Sequence, residues 1–291
     1  MTNVADSELL LPPSTAMSAV TLHVRDLAAT SAYYQAALGL QELPRDAVPA
    51  LAGDVVVLGR AGTPVQVLVH TPDLPLAKPG QAGLFHTALL YPSAAALAAT
   101  VLRAARHPRS RFVGSADHVV SKAFYFTDPE GNGIELYCDL PRSQWQYVDG
   151  RVVMGSLPLD PNAFITHNLA SEAPQPADVG HVHLKVGDIA TARTFYVDTL
   201  GFEVMADVGS ALFVAAGGYH HHLGVNTWQS AGAGPRAATI GLGQVSISLP
   251  SRPDVDALAA RLAHHRVPVT DDGATLRFRD PWGSQLEVGA P

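Results

Sequence analysis

GHVHLKVGDIATARTFYVDTLGF, residues 180–202, decides how the rest of the chain is read. Val182, Leu184 and Val186 alternate along its first part, the period of a half-buried strand. His181 and His183 occupy the intervening positions and so point the other way, into whatever the sheet encloses. Asp188 follows as a helix cap, its carboxylate placed to accept from the orphan N–H groups of the next turn. Ile189, Tyr196 and Leu200 share one helical face, and Gly201 supplies a left-handed stop. The stretch predicts a strand, one amphipathic helix and a turn.

Residues 18–40, SAVTLHVRDLAATSAYYQAALGL, repeat it, with Asp26 for Asp188, Tyr34 for Tyr196 and Gly39 for Gly201. Apolar runs at 55–58 and 65–69 then predict a hairpin; the equivalents in the later copy are 211–215 and 219–225. A second kind of unit occupies 83–108 and returns at 241–268, each with a strand, a Pro-Ser pair, an alanine-rich helix and a proline stop. Each ends in a matched strand-turn-strand, FYFTDPEGNGIELY at 124–137 and LRFRDPWGSQLEV at 276–288. In both, a glutamate lies seven residues after the turn aspartate: Asp128 to Glu135 and Asp280 to Glu287. The chain therefore reads as α+β, with four βαβββ modules near 18–70, 84–139, 180–227 and 240–289. Halves at 17–139 and 180–289 are joined by a proline-rich connector, 140–179, and residues 1–16 read as a polar tail.

With 291 residues, the chain suits two domains, and 47% hydrophobic against 15% charged residues is a globular balance. A net charge of −7 without a Lys/Arg stripe argues against a nucleic-acid partner. One cysteine, Cys138, rules out an intrachain disulfide framework and fits a reducing cytosol. The first residues lack the basic start and apolar core of a signal peptide, and no run is long and apolar enough for a membrane span. A cytoplasmic setting is the expectation.

Paired modules opening H-x-x-L-x-V-x-D-[LI] and closing D-P-x-G-x-x-x-E resemble the vicinal oxygen chelate superfamily of glyoxalases, bleomycin resistance proteins and extradiol dioxygenases. Asp117-His118, DPEGNGIELY, and the run from Gly217 through His220-His221-His222 to Trp228 resemble its bacterial catechol-2,3-dioxygenase branch. The resemblance covers 17–289 and implies cup-shaped mixed sheets, each cup made by two modules, and often a homodimer. It also implies a divalent metal, Fe(II) or Mn(II), held by two histidines and one glutamate. The first histidine comes from one module's opening strand; the second histidine and the glutamate come from its partner's first and last strands.

No sequential pair of modules has a full set of these groups. Module one has Ala19 where module three has His181, and module four has Gln244 and Arg277 where module two has His86 and Tyr125. Modules two and three together have His86, Glu135 and His181. They add His118 and Tyr125, seventeen and ten residues before Glu135, and His221 from the triplet. The accounting predicts that module two pairs with three, and one with four; His181 with Gln244 and Glu287 is the second choice. A strand histidine alone is more often a satisfied core residue than a ligand, and alternation would set His221 opposite His220 and His222. Only the resemblance selects His221. It implies catalytic roles for His221, His118 and Tyr125 in ring cleavage of a catechol-type diol by O2. A glyoxalase-like isomerase or lyase and a metal-free protein that binds or sequesters a flat aromatic ligand use the same cup.

Overall fold

The computed structural model describes residues 10–48, 51–149, 151–170 and 177–291. Module one supplies β1 (Ala16–Val24), β2 (Gln41–Leu43), β3 (Val55–Arg60) and β4 (Thr63–His70). Module two supplies β5 (Gly83–Leu90), β6 (Arg111–Asp117), β7 (Ser121–Thr127) and β8 (Gly133–Asp139). The connector forms β9 (Tyr147–Val148), β10 (Arg151–Val152) and β11 (Leu157–Pro158). Module three gives β12 (Asp178–Lys185), β13 (Glu203–Asp207), β14 (Ala211–Ala215) and β15 (Leu223–Asn226). Module four gives β16 (Gly241–Ser248), β17 (Thr270–Asp271), β18 (Thr275–Arg279) and β19 (Gln285–Gly289). A helix follows the first strand of every module: Leu27–Leu38, Ala94–Arg106, Ile189–Arg193 and Arg252–His264.

The strands cross between the halves. β1 lies antiparallel to β16, and β5 antiparallel to β12. One sheet therefore runs β17-β18-β19-β16-β1-β4-β3-β2 and the other β11-β6-β7-β8-β5-β12-β15-β14-β13, each combining a module from either half. Modules consecutive in sequence are joined instead through their helices and turns. The Tyr34 hydroxyl donates to Asp128 (3.3 Å) and the Tyr196 hydroxyl to Asp280 (2.9 Å). Arg103 reaches the carbonyls of Ala37 and Leu38 at the end of the first helix, and Arg261 reaches that of Leu200. Val20, Leu22, Val24, Val182, Leu184 and Val186 are all fully buried in one continuous core. That is where strand alternation put them.

The caps also form as read: Asp26 accepts from the Ala29 N–H (2.9 Å) and Asp188 from that of Thr191 (2.7 Å). Gly39 and Gly201 close their helices at φ +71° and +90°, the left-handed region that costs other residues a Cβ clash. Four expectations are corrected. The helix after Asp188 is α only to Arg193 and continues as a wider π turn over Thr194–Thr199. β-branched Thr194, Val197 and Thr199 hold a regular helix weakly, and the Thr199 hydroxyl bonds the Thr194 carbonyl across five residues. The strand expected over 219–225 starts only at Leu223, because Gly217 and Gly218 turn the chain at φ +62° and +66°. Residues 10–16 are not a loose tail: Leu11 is buried, and its N–H bonds the Gly201 carbonyl. The connector is not a bare linker either, since Trp145 and Val152 pack with Met205, Ala215 and Tyr219. Residues 1–9 and 171–176 lie outside the described residues. Among the described residues no helix is long and apolar enough to cross a membrane.

Candidate metal centre and its cavity

Four strands of the nine-stranded sheet bring the site together in one row. His181 of β12 is opposite Ala88 of β5, Ala88 is beside Glu135 of β8, and Glu135 is opposite Tyr125 of β7. His86 lies two residues before Ala88, on the same face of β5, and opposite His183. Adjacent strands are roughly 4.8 Å apart, so the short Ala88 side chain leaves a gap between His181 and Glu135 two ladder steps wide. Into it project His181 Nε2 and His86 Nε2, 3.2 and 2.9 Å from the same oxygen, Glu135 Oε2. The three ligand atoms lie within 4.8 Å of one another, and all three residues are buried. His86 Nε2, despite its 2.9 Å approach, has no hydrogen bond of acceptable angle. Two imidazole nitrogens and a carboxylate crowded this way, one nitrogen without a hydrogen bond, fit a divalent cation: two histidines and one carboxylate occupy one face and leave the other open.

Electrostatics favour the ligating protonation states. Burial pushes His181 down to about 4 and also lowers His183 and His221, whose neighbours are other imidazoles, well below the ordinary value. Burial alone would raise Glu135, but His181 and His86 hold its carboxyl well below the usual range. The state we assign is a neutral His181 imidazole beside an ionised Glu135 carboxylate, the one in which neither has to lose a proton before binding metal.

Two hydrogen-bonded relays flank the three candidate ligands. In the first, His118 Nδ1 lies 2.7 Å from the Gly155 carbonyl and must donate to it. Its Nε2 is left to accept from the Tyr125 hydroxyl at 2.6 Å. Burial, followed by the Glu135 charge, raises the Tyr125 pKa, so the phenol stays protonated. In the second, His220 Nε2 donates to Asp139 (2.9 Å), which also accepts from the Tyr219 hydroxyl (2.9 Å). His220 Nδ1 then accepts from His221 Nδ1 at 2.8 Å, and the network assigns His221 a bare Nε2. The His221 ring lies against that of His181, centroids 4.0 Å apart.

The turn at Gly217-Gly218 also corrects the alternation expected of the triplet. His220 and His221 both line the cavity, while His222 Nδ1 accepts from the Ala216 N–H (3.1 Å). Sequence reading missed Asp139, Gly155 and the aromatic wall of Phe85, Phe213 and Trp228, because spacing alone marks none of them. Of these only Trp228 had a signal, in the run that follows the triplet. The second-choice ligands are elsewhere: Gln244 and Glu287 lie in the other sheet, away from His181. There Arg277 stands opposite Glu287 and bonds it at 2.7 Å, and Ser246, beside it on β16, bonds it at 3.3 Å. An internal guanidinium fills the place of a cation in that cup.

The cavity around His86, Glu135 and His181 measures about 1020 Å³. His118, Tyr125, His183 and the aromatic wall line it, together with Met154, Gly155 and Ser156 of the connector.

The family model of the Glyoxalase/Bleomycin resistance protein/Dioxygenase superfamily matches residues 16–136 and 178–288. A Bacillus subtilis (strain 168) protein named catechol-2,3-dioxygenase is 37% identical over 206 residues, 68% of this chain and 72% of that protein. Among solved structures, one from Bacillus subtilis superposes with a TM-score of 0.63 at 14% identity, over 94% of this chain and 84% of the other. Glyoxalase I from Zea mays superposes with a TM-score of 0.58 at 17% identity, over 95% and 92%. At these identities the superpositions establish a shared fold.

Proposed function

This chain belongs to the glyoxalase/bleomycin resistance protein/dioxygenase superfamily, and from that premise we propose that it is an extradiol dioxygenase that opens a catechol-type ring with O2. The observation that carries the proposal is the convergence of His86, Glu135 and His181 at the floor of a cavity flanked by two proton relays. The relative named catechol-2,3-dioxygenase supports the same substrate class. These three residues would hold Fe(II) or Mn(II), which when bound would chelate the diol, lower the pKa of its oxygens and activate O2.

The chain's own groups supply the rest. His118, fixed by Gly155, holds its Nε2 as an acceptor, and the Tyr125 hydroxyl passes a diol proton toward it. His221 presents Nε2 from the opposite side, backed by His220 and Asp139, which together offset the charge of an imidazolium if His221 takes up a proton. Glu135, His181, His220 and His221 are buried, so charges there are screened less than at the surface. A glyoxalase-type isomerase would need a second carboxylate ligand, whereas among the described residues the buried group holds one. A cytosolic, homodimeric catabolic enzyme is the setting that goes with this reading.

The test is anaerobic reconstitution with Fe(II), then an oxygen-electrode trace with catechol. Oxygen uptake with a yellow ring-opened semialdehyde is expected. Colourless cis,cis-muconate would mean cleavage between the hydroxyls and would overturn the assignment. So would a loaded protein that consumes no oxygen with any catechol.

A further inference from the structure

The cavity continues beyond the three ligands along β12. His181, His183 and Lys185 lie two residues apart on one strand face, roughly 7 Å per step, and all three line the cavity. At the far end Lys185 pairs in register with Gly83, and the Arg236 guanidinium lies 3.7 Å from where a Cβ on Gly83 would stand. Two half-buried cations thus share one end of the cavity. Arg236 commits Nη2 to the Leu242 carbonyl (2.9 Å) and Thr239 (3.4 Å), while its Nε is buried without a partner. Among the described residues neither cation forms an ion pair. The nearby acids are engaged elsewhere. Glu130 accepts from the N–H groups of Arg25 and Asp26, and Asp280 from Tyr196, Trp282 and Ser284. Burial and the Arg236 charge both lower the Lys185 pKa. Burial likewise lowers that of Arg236, with the Asp280 charge opposing it and Arg279 adding to it. Like charges gathered in a partly desolvated pocket are unfavourable until an anion joins them.

Between this end and the candidate ligands the wall is aromatic: Phe85 packs edge-to-face with His183 at 5.1 Å and with Trp228 at 5.4 Å. A ring lying there with its diol at His86, Glu135 and His181 would direct its opposite edge toward Lys185. Resting on the extradiol reading, we propose that Lys185 and Arg236 form an anion subsite, and that the substrate class is a catechol bearing a carboxylate-terminated arm on the edge away from its diol.

The experiment compares a catechol bearing a carboxyethyl arm with the methyl ester of the same compound, on the wild-type protein and Lys185→Met. Oxygen uptake gives kcat/KM on the Fe(II)-loaded protein, and quenching of tryptophan fluorescence without oxygen gives binding. We expect the wild type to favour the acid by about 10- to 100-fold, the range for a hydrogen bond to a charged group, and Lys185→Met to cut that preference to the part that Arg236 alone retains. Equal use of acid and ester by an active wild type would overturn the subsite and leave ring cleavage standing. Acid-selective binding that Lys185→Met weakens, with no oxygen uptake, would keep the subsite and sink the dioxygenase reading. Absence of both would overturn both. If Lys185→Met misfolds, the wild-type ratio and its fall with added salt decide the matter, because a direct ion pair is screened and an apolar preference is not.

Discussion

At the residue scale the centre depends on a small side chain as much as on its ligands. His86→Ala, Glu135→Ala and His181→Ala should each abolish metal uptake, measured by elemental analysis, while Glu287→Gln should retain it, since Glu287 bonds Arg277 in the other sheet. A Glu287→Gln protein that purifies without metal, alongside a metal-replete Glu135→Ala, would reverse the assignment. Ala88 makes a sharper case. It is fully buried in the row between His181 and Glu135, so Ala88→Leu would fill the gap that the ligands enclose. Overpacking of this kind costs about 1–3 kcal/mol, which a two-sheet protein can survive. We expect a folded protein that no longer binds metal; normal metal content in Ala88→Leu would show that the gap is not where the ion sits. The relays separate chemistry from ligation. His221→Phe and Tyr125→Phe should keep the metal while single-turnover rates fall by about 10²–10⁴-fold, the range for one positioned acid–base group. Loss of metal from either variant would make these residues ligands, and an undiminished rate would make them cavity lining.

At the element scale, much of this arrangement was legible before any coordinates. Strand alternation around Val182, Leu184 and Val186 puts His181 and His183 on one face, and both line the cavity. Counting candidate ligands module by module predicts that module two pairs with module three, and β5 lies antiparallel to β12. What could not be read was the work of segments without period. Asp139 follows a strand as an ordinary acidic residue, yet it orients His220. Gly155 contributes only a carbonyl, which any residue carries, yet that carbonyl sets the His118 tautomer. Strand alternation does not hold at the triplet, because two glycines in the left-handed region release it; His221, which the resemblance selects, lines the cavity together with His220. Trp145 illustrates the connector's part: it packs on His220 with centroids 5.4 Å apart, and its indole N–H donates to the Leu140 carbonyl. Trp145→Ala should lower turnover through His220 and His221 without emptying the metal site. A variant that loses metal and activity in parallel would show the connector to be a general scaffold instead.

At the scale of the whole molecule, the buried imidazoles tie stability to pH. Unfolded histidines titrate near 6.5, but burial pushes His222 down to about 3 and His181 down to about 4, and lowers His183 and His221 as well. For His222 the bond from the Ala216 N–H gives a second reason, since a protonated Nδ1 could not accept it. As pH falls through 6.5 the unfolded chain therefore binds protons that the folded chain refuses, and stability falls with pH. Glu135, held low, acts in the same direction further into acid. Asp128 and Asp280 oppose it, because burial raises them and their folded forms take up protons first. Those are two carboxyls against four depressed histidines, so between pH 7 and 5 the histidines dominate. The metal-free protein should lose about 1.4 kcal/mol per pH unit for each excess proton bound on unfolding. Its melting temperature, followed by circular dichroism, should fall steadily over that window. Fe(II) or Mn(II), bound only by the folded form with neutral imidazoles, should raise the melting temperature most at pH 7 and progressively less toward pH 5. A melting temperature that is flat or rises on acidification would mean that these histidines are already charged in the fold, a state in which His181 could not ligate a metal.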